Sequence, residues 1–178
     1  MLGGRPVSKS LELLQTLRRS VDEAFLRAQG TCELVCGEGC DQCCRVDLSV
    51  FPVEAAPLRE LLASLDQDRV QAIWARLESQ QHCAFLVEGR CAVYDQRPII
   101  CRSQGMPLLL PDGSRDICPE NPDPATLPLE AHLALERLNT LLAILHRAHL
   151  QETGLEDGRV RLADLAREAL SPRAGGVH

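Results

Sequence analysis

The chain is predicted to be mainly α: a helical framework holding an irregular, cysteine-rich metal-binding region and a small β-hairpin. Three observations predict it. Apolar residues recur at steps of three and four near both ends of the chain, the period of a helix with one buried face. Aromatics are few (Phe25, Phe51, Trp74, Phe85 and Tyr94), so the core must be Leu, Ala and Val, which suits packed helices better than a β-sandwich. The middle of the chain is dense in Cys, Gly and Pro, residues that punctuate a chain rather than propagate a helix.

Taken in order, residues 8–29 read as an amphipathic helix, with Leu11, Leu14, Leu17, Val21, Ala24 and Ala28 on one face and Gly30 as the stop. The segment from Thr31 to Arg45 is too rich in Gly and Cys for regular helix. Pro52 opens a second helix, VEAAPLRELLASL, in which Pro57 is expected to introduce a split or kink. Asp66 or Asp68 caps a third, with Val70, Ile73, Trp74 and Leu77 along one side. In CAFLVEGRCAVY, two short apolar runs flank Glu88-Gly89, the pattern of a hairpin with a cysteine at the start of each arm. From Arg97 to Pro124 the chain carries six of its prolines and reads as irregular loop with one short helical turn near Ile100. A long helix is expected from Leu127 to Gln151, with Leu129, Leu133, Leu138, Leu141, Leu142 and Leu145 inward, and a final one from Leu162 to Leu170 before a frayed tail. No internal repeat is visible. The expected organisation is one domain over residues 1–178, its cysteine core at about 32–120 and its flanking helices at 8–29 and 127–170.

Composition excludes several function classes. A net charge of −6 gives no basic face for nucleic acid. No apolar stretch approaches the roughly 20 residues of a spanning helix, and MLGGRPVSKSLELL lacks the apolar run of a signal peptide. The expected location is the cytoplasm, where thiols stay reduced. An odd number of cysteines, nine, also argues against a disulfide scaffold.

Those cysteines carry the chemistry. Cys32, Cys36, Cys40, Cys43 and Cys44 crowd one short segment, and Cys83, Cys91, Cys101 and Cys118 follow. Cys40-x-x-Cys43 is a turn that brings two sulfurs within reach of one ion, as in zinc and iron–sulfur sites. Cys36 adds a third at a spacing that either one helical turn or a glycine-rich path aligns. The adjacent Cys43 and Cys44 are expected to diverge, so that one of them is a structural thiol or the centre is polynuclear. Cys83, Cys91 and Cys101 supply a second half, with Cys118 as a further ligand and Cys32 as packing at the helix end. Four thiolates around Zn²⁺ or a [4Fe–4S]²⁺ cluster leave a net charge of about −2, which Arg45, Arg90, Arg97 and Arg102 stand close enough in sequence to offset. His146 and His149 read as a core or solvated pair rather than ligands, and His82 as pointing away from Cys83. Neither a phosphate-binding glycine loop nor a catalytic triad is visible, and catalytic residues are not identified.

CGEGCDQCC followed by CAFLVEGRCAVYDQRPIICR resembles the YkgJ-like cysteine-cluster family, also described as zinc- or iron-chelating domains. The second block matches that family's pattern at Cys83, Phe85, Leu86, Gly89, Arg90, Cys91, Val93, Tyr94, Arg97, Pro98, Cys101 and Arg102. The first departs from it by one residue, three rather than two lying between Cys36 and Cys40. The resemblance covers about Cys36 to Cys118 and implies metal chelation by cysteines. A similar pattern occurs in flagellin lysine methylases, but no motif for methyl transfer is recognisable here. The expectation is therefore a metal-binding protein holding an iron–sulfur cluster or Zn²⁺ through Cys36, Cys40, Cys43, Cys44, Cys83, Cys91, Cys101 and Cys118. Two rival readings accompany it. One is a metal-dependent enzyme modifying a protein or peptide, with Tyr94, Arg97 and Arg102 lining its cofactor site. The other is an interaction module with a structural zinc and a protein partner.

Overall fold

A computed structural model describes residues 8–36, 39–79 and 83–171. The expectations placed on the N-terminal segment, Gly37, His82 and the terminal tail lie outside these residues. The chain divides into two compact units, each built from two stretches of sequence: residues 1–40 with 98–157, and residues 41–97 with 158–178.

In the first unit, helix α1 (Lys9–Thr31) buries Leu14, Leu17, Val21 and Ala28 of the face its periodicity selects, while Leu11 and Ala24 are half-buried. It packs against helix α5 (Leu135–Thr153) and the short helix α4 (Ile99–Ser103). The Arg102 guanidinium, almost fully buried on α4, reaches Asp22 of α1 at 2.6 Å and holds that packing in register. The loop after α4 contains more order than its prolines suggest. Strand β4 (Leu108–Leu109) pairs antiparallel with β5 (Arg115–Asp116) and parallel with β6 (Leu133–Ala134).

That sheet corrects the predicted long helix, which starts at Leu135 rather than Leu127. The Leu133 N–H donates to the Pro107 carbonyl (2.8 Å), and Pro128 leads instead into a tight turn at Leu129–Ala131. Helix propagation here loses to sheet pairing with residues more than twenty positions away. Leu138, Leu142 and Leu145 do face the core, but Leu129 and Leu141 are exposed, because the first lies outside the helix and the second on its solvent side.

Buried polar groups tie the start of α1 to the end of α5. Glu152 accepts from the Ser8 hydroxyl and from the Ser10 hydroxyl (2.8 Å), and Ser10 Oγ lies 3.0 Å from His149 Nδ1. Because the Ser10 proton goes to Glu152, His149 Nδ1–H is the donor to Ser10, which leaves Nε2 as the acceptor form. His146 lies one turn before it and bonds Asp157 at 2.8 Å, so the two histidines are core residues, as expected. Burial holds the His149 imidazole below its ordinary range, against the opposing pull of Glu152. A histidine kept neutral in the fold refuses a proton that the unfolded chain accepts below about pH 6.5, so stability falls as the pH drops through that value. Thermal unfolding followed by circular dichroism should show this loss between about pH 7 and pH 5.5 and show it reduced in His149→Gln. Equal slopes in the two proteins would place the acid sensitivity elsewhere.

In the second unit, helices α2 (Pro52–Ala63), α3 (Gln67–Ser79) and α6 (Leu162–Leu170) enclose a core of Val50, Ala55, Leu58, Leu62, Ile73, Leu77, Phe85, Val93, Leu162 and Leu165. Pro52 starts α2 where its missing N–H costs nothing, and Glu54 reaches back to the Phe51 N–H (3.4 Å). Pro57 does not split the helix: burial of Val53, Ala55, Leu58 and Leu62 outweighs the one backbone bond it forgoes. Asp66 caps α3, accepting from the Arg69 N–H at 2.9 Å. Strand β1 (Ser49–Val50) pairs with β7 (Val160–Arg161), which stitches the final helix onto the earlier segment. The predicted hairpin is present: β2 (Leu86–Val87) faces β3 (Arg90–Cys91), and positive φ at Glu88 (49°) and Gly89 (75°) makes the tight turn that fits strand twist. Among the described residues, no helix is long and apolar enough to cross a membrane.

Candidate metal centre

The hairpin in the second unit is the scaffold of a thiol group. Cys83 precedes β2 and Cys91 ends β3, and each sulfur accepts a backbone N–H from two residues further on, Phe85 for Cys83 and Val93 for Cys91. This repeated turn aims a dipole at each sulfur and favours its thiolate. The Cys83 N–H donates to the Cys44 carbonyl (2.8 Å), so the first cysteine block is joined directly to the second. Cys43 and Cys44 occupy a one-turn 3₁₀ segment, Gln42–Cys44, rather than extended chain. Their thiols therefore lie in hydrogen-bonding contact instead of diverging to opposite faces, as the sequence led us to expect.

The electrostatics of this group are divided. Burial pushes the Cys83 thiol up to about 11, and raises Cys91 as well. The Cys43 thiol is raised chiefly by its hydrogen bond with Cys44, then by burial. Working against these effects, the Arg97 guanidinium favours ionisation of both Cys43 and Cys91, and Arg76 does the same for Cys83. Arg97 stacks on the Tyr94 ring, 4.0 Å from its centroid, so two of the three residues expected at a cofactor site form one feature. The third, Arg102, is engaged with Asp22 in the first unit. Arg45 pairs with Asp41 (3.4 Å). Arg76 was not singled out by the sequence, because it lies outside every cysteine motif, on α3 before Cys83. Its buried Nε has no hydrogen-bond partner among the described residues.

The first unit carries the other thiols, all half-buried: Cys32, Cys36, Cys40, Cys101 on α4, and Cys118. Cys32 caps its own helix, its thiol 3.1 Å from the Ala28 carbonyl, in keeping with a packing role. Cys36 is held by Asn121, whose side-chain amide lies 3.6 Å from the sulfur. Among the described residues, no three His, Cys, Asp or Glu side chains converge closely enough to hold an ion in the arrangement seen. The donor chemistry nonetheless fits a soft metal. Thiols backed by N–H dipoles and guanidinium charge, with an unpartnered arginine nitrogen beside one of them, suit a centre that is negative once its protons leave.

The fold and this chemistry define a thiol-rich region set in a helical framework, with donors that suit a soft metal. Residues 35–119, just under half of the chain, match the CxxCxxCC family model, described as a "putative zinc- or iron-chelating domain". That segment is thus similar to the CxxCxxCC family of chelating domains. It contains eight of the nine cysteines and leaves out Cys32. Comparisons with curated proteins and with solved structures found no match.

Proposed function

We propose that the protein binds metal through cysteine thiolates, as an iron–sulfur cluster or Zn²⁺. In the second unit the ligands are Cys43, Cys44, Cys83 and Cys91; in the first they are Cys36, Cys40, Cys101 and Cys118. The observation that carries this reading is the hairpin pair, Cys83 and Cys91, each backed by an N–H two residues on, with Cys43 and Arg97 near Cys91 and Arg76 near Cys83. Such N–H donors withdraw charge from a thiolate and stabilise its metal-bound form. The metal supplies Lewis-acid or electron-transfer chemistry when bound, and the residues supply orientation and charge balance. Arg97, braced on Tyr94, offsets thiolate charge at Cys43 and Cys91. Arg76 does so at Cys83.

Anaerobic purification with metal analysis and an absorption spectrum tests the proposal. A brown, oxygen-bleachable protein containing iron and sulfide identifies a cluster, and a colourless one with stoichiometric zinc identifies Zn²⁺. Protein that retains neither, and takes up neither on anaerobic reconstitution, overturns it.

A further inference from the structure

The first block's irregular spacing leaves the function of Cys36 open, and the structure supplies what spacing cannot. Cys36 lies in a cradle made by two residues remote in sequence, Gly105 and Asn121. A Cβ placed on Gly105 would fall 1.9 Å from Cys36 Sγ, so the sulfur fills the space a side chain would take. Gly105 also has φ +81°, a conformation that side chains disfavour, so two separate constraints select glycine there. Asn121 closes the other side. Its Oδ1 accepts the Val35 N–H at 2.7 Å, which fixes the amide orientation, since a backbone N–H can meet only the oxygen. Nδ2 must then be the donor, giving one N–H to the Gly105 carbonyl (2.9 Å) and directing the other to Cys36 Sγ (3.6 Å). The Asn121 backbone N–H donates to the Cys118 carbonyl at 2.9 Å. One asparagine thereby ties together the segment leading to Cys36, the turn after the Cys101 helix, and the Cys118 loop.

We infer that Asn121 is a positioning residue for the Cys36 thiolate, orienting the sulfur over Gly105 and donating to it when it binds metal. A neutral thiol gains little from a donor at this distance, whereas a metal-bound thiolate is a strong acceptor that draws the N–H in. The inference rests on the proposed role of Cys36 as a ligand.

The test is a double-mutant cycle on the full chain, titrated anaerobically with Co²⁺. The readouts are the dissociation constant and the thiolate-to-cobalt charge-transfer band. Asn121→Asp keeps the acceptor for Val35 and the side-chain size but replaces the donor with a carboxylate. It is expected to weaken Co²⁺ binding by about 10–100-fold and shift the band. Combined with Cys36→Ser, it should add no further loss. Gly105→Ala should also weaken binding, by displacing the sulfur. If Asn121→Asp does not fold, Asn121→Ala is read in the same cycle. Unchanged affinity in the Asn121 variant, or an equal loss with and without Cys36, overturns the inference and leaves Cys36 as a ligand. Unchanged affinity in Cys36→Ser itself removes Cys36 from the ligand set, and the inference falls with it.

Discussion

Cys91→Ser is expected to strip metal from the hairpin centre. Serine is close in size but does not ionise near neutral pH, so it replaces a thiolate with a weak, neutral donor. Structural zinc sites contribute about 10–16 kcal/mol at neutral pH. Shared over four ligands, one thiolate is worth about 2.5–4 kcal/mol, or roughly two to three powers of ten in affinity. Cys91 is suited to show the full effect, since its sulfur accepts the Val93 N–H and lies in the field of Arg97, both of which a serine wastes. Folding should suffer with it, because metal binding and folding are one equilibrium where the site forms only in the native state. Competition titration against a chelator and thermal unfolding of the loaded protein measure the two losses. Cys32→Ser is the control: its thiol is spent on the Ala28 carbonyl, and metal content should not change. Full metal retention by Cys91→Ser would falsify the ligand assignment at the hairpin.

The second large effect is expected away from any ligand. Phe85 is 1% exposed and packs in the core of the second unit, two residues after Cys83. Its carbonyl accepts the Ala92 N–H at 2.8 Å, so the same residue anchors the hairpin by side chain and by backbone. Phe85→Ala removes the largest fully buried side chain among the described residues and leaves a cavity in the core cluster that also holds Leu58, Ile73, Val93 and Leu165, at a cost of about 3–5 kcal/mol. The readout is built in. Trp74, the only tryptophan, packs partly against this same core, and its fluorescence reports the second unit separately from circular dichroism of the whole chain. Separate probes matter because a chain of two compact units need not unfold in one step. Metal affinity should fall in the same variant although every thiol is retained. Tyr94→Phe, at a half-exposed ring, should stay within about 0.5 kcal/mol of the native protein. A Phe85→Ala protein as stable as native would mean that the hairpin does not depend on this core.

The helices were legible in the sequence wherever an apolar stripe repeats without competition. α1 and α6 begin and end within about two residues of the expected positions, and α3 begins at its expected cap, because caps and periodicity act locally. The hairpin turn at Glu88-Gly89 was legible for the same reason: two residues with positive φ are a local requirement. The start of α5 was not. Leu129 and Leu133 continue a helical period in the sequence, yet Leu133 is drawn into pairing with Leu108. Nor was the contact between the Cys43 and Cys44 thiols, which depends on the turn that their segment adopts. Arg76 and Asn121 carried no signal at all, since neither sits in a cysteine motif.

By itself the sequence determined that this is a helical protein rich in clustered thiols, and that residues 35–119 resemble a zinc- or iron-chelating domain. Both follow from residue type and short spacing, which constrain a chain over about one turn. Only the tertiary structure decided which groups meet. It joined Cys44 to Cys83 through a backbone hydrogen bond, set Arg97 beside Cys43 and Cys91, and brought Asn121 to Cys36 across 85 positions. The physical reason is that ligand identity is a property of a residue, whereas convergence on a point depends on core packing and long-range hydrogen bonds that no local spacing encodes.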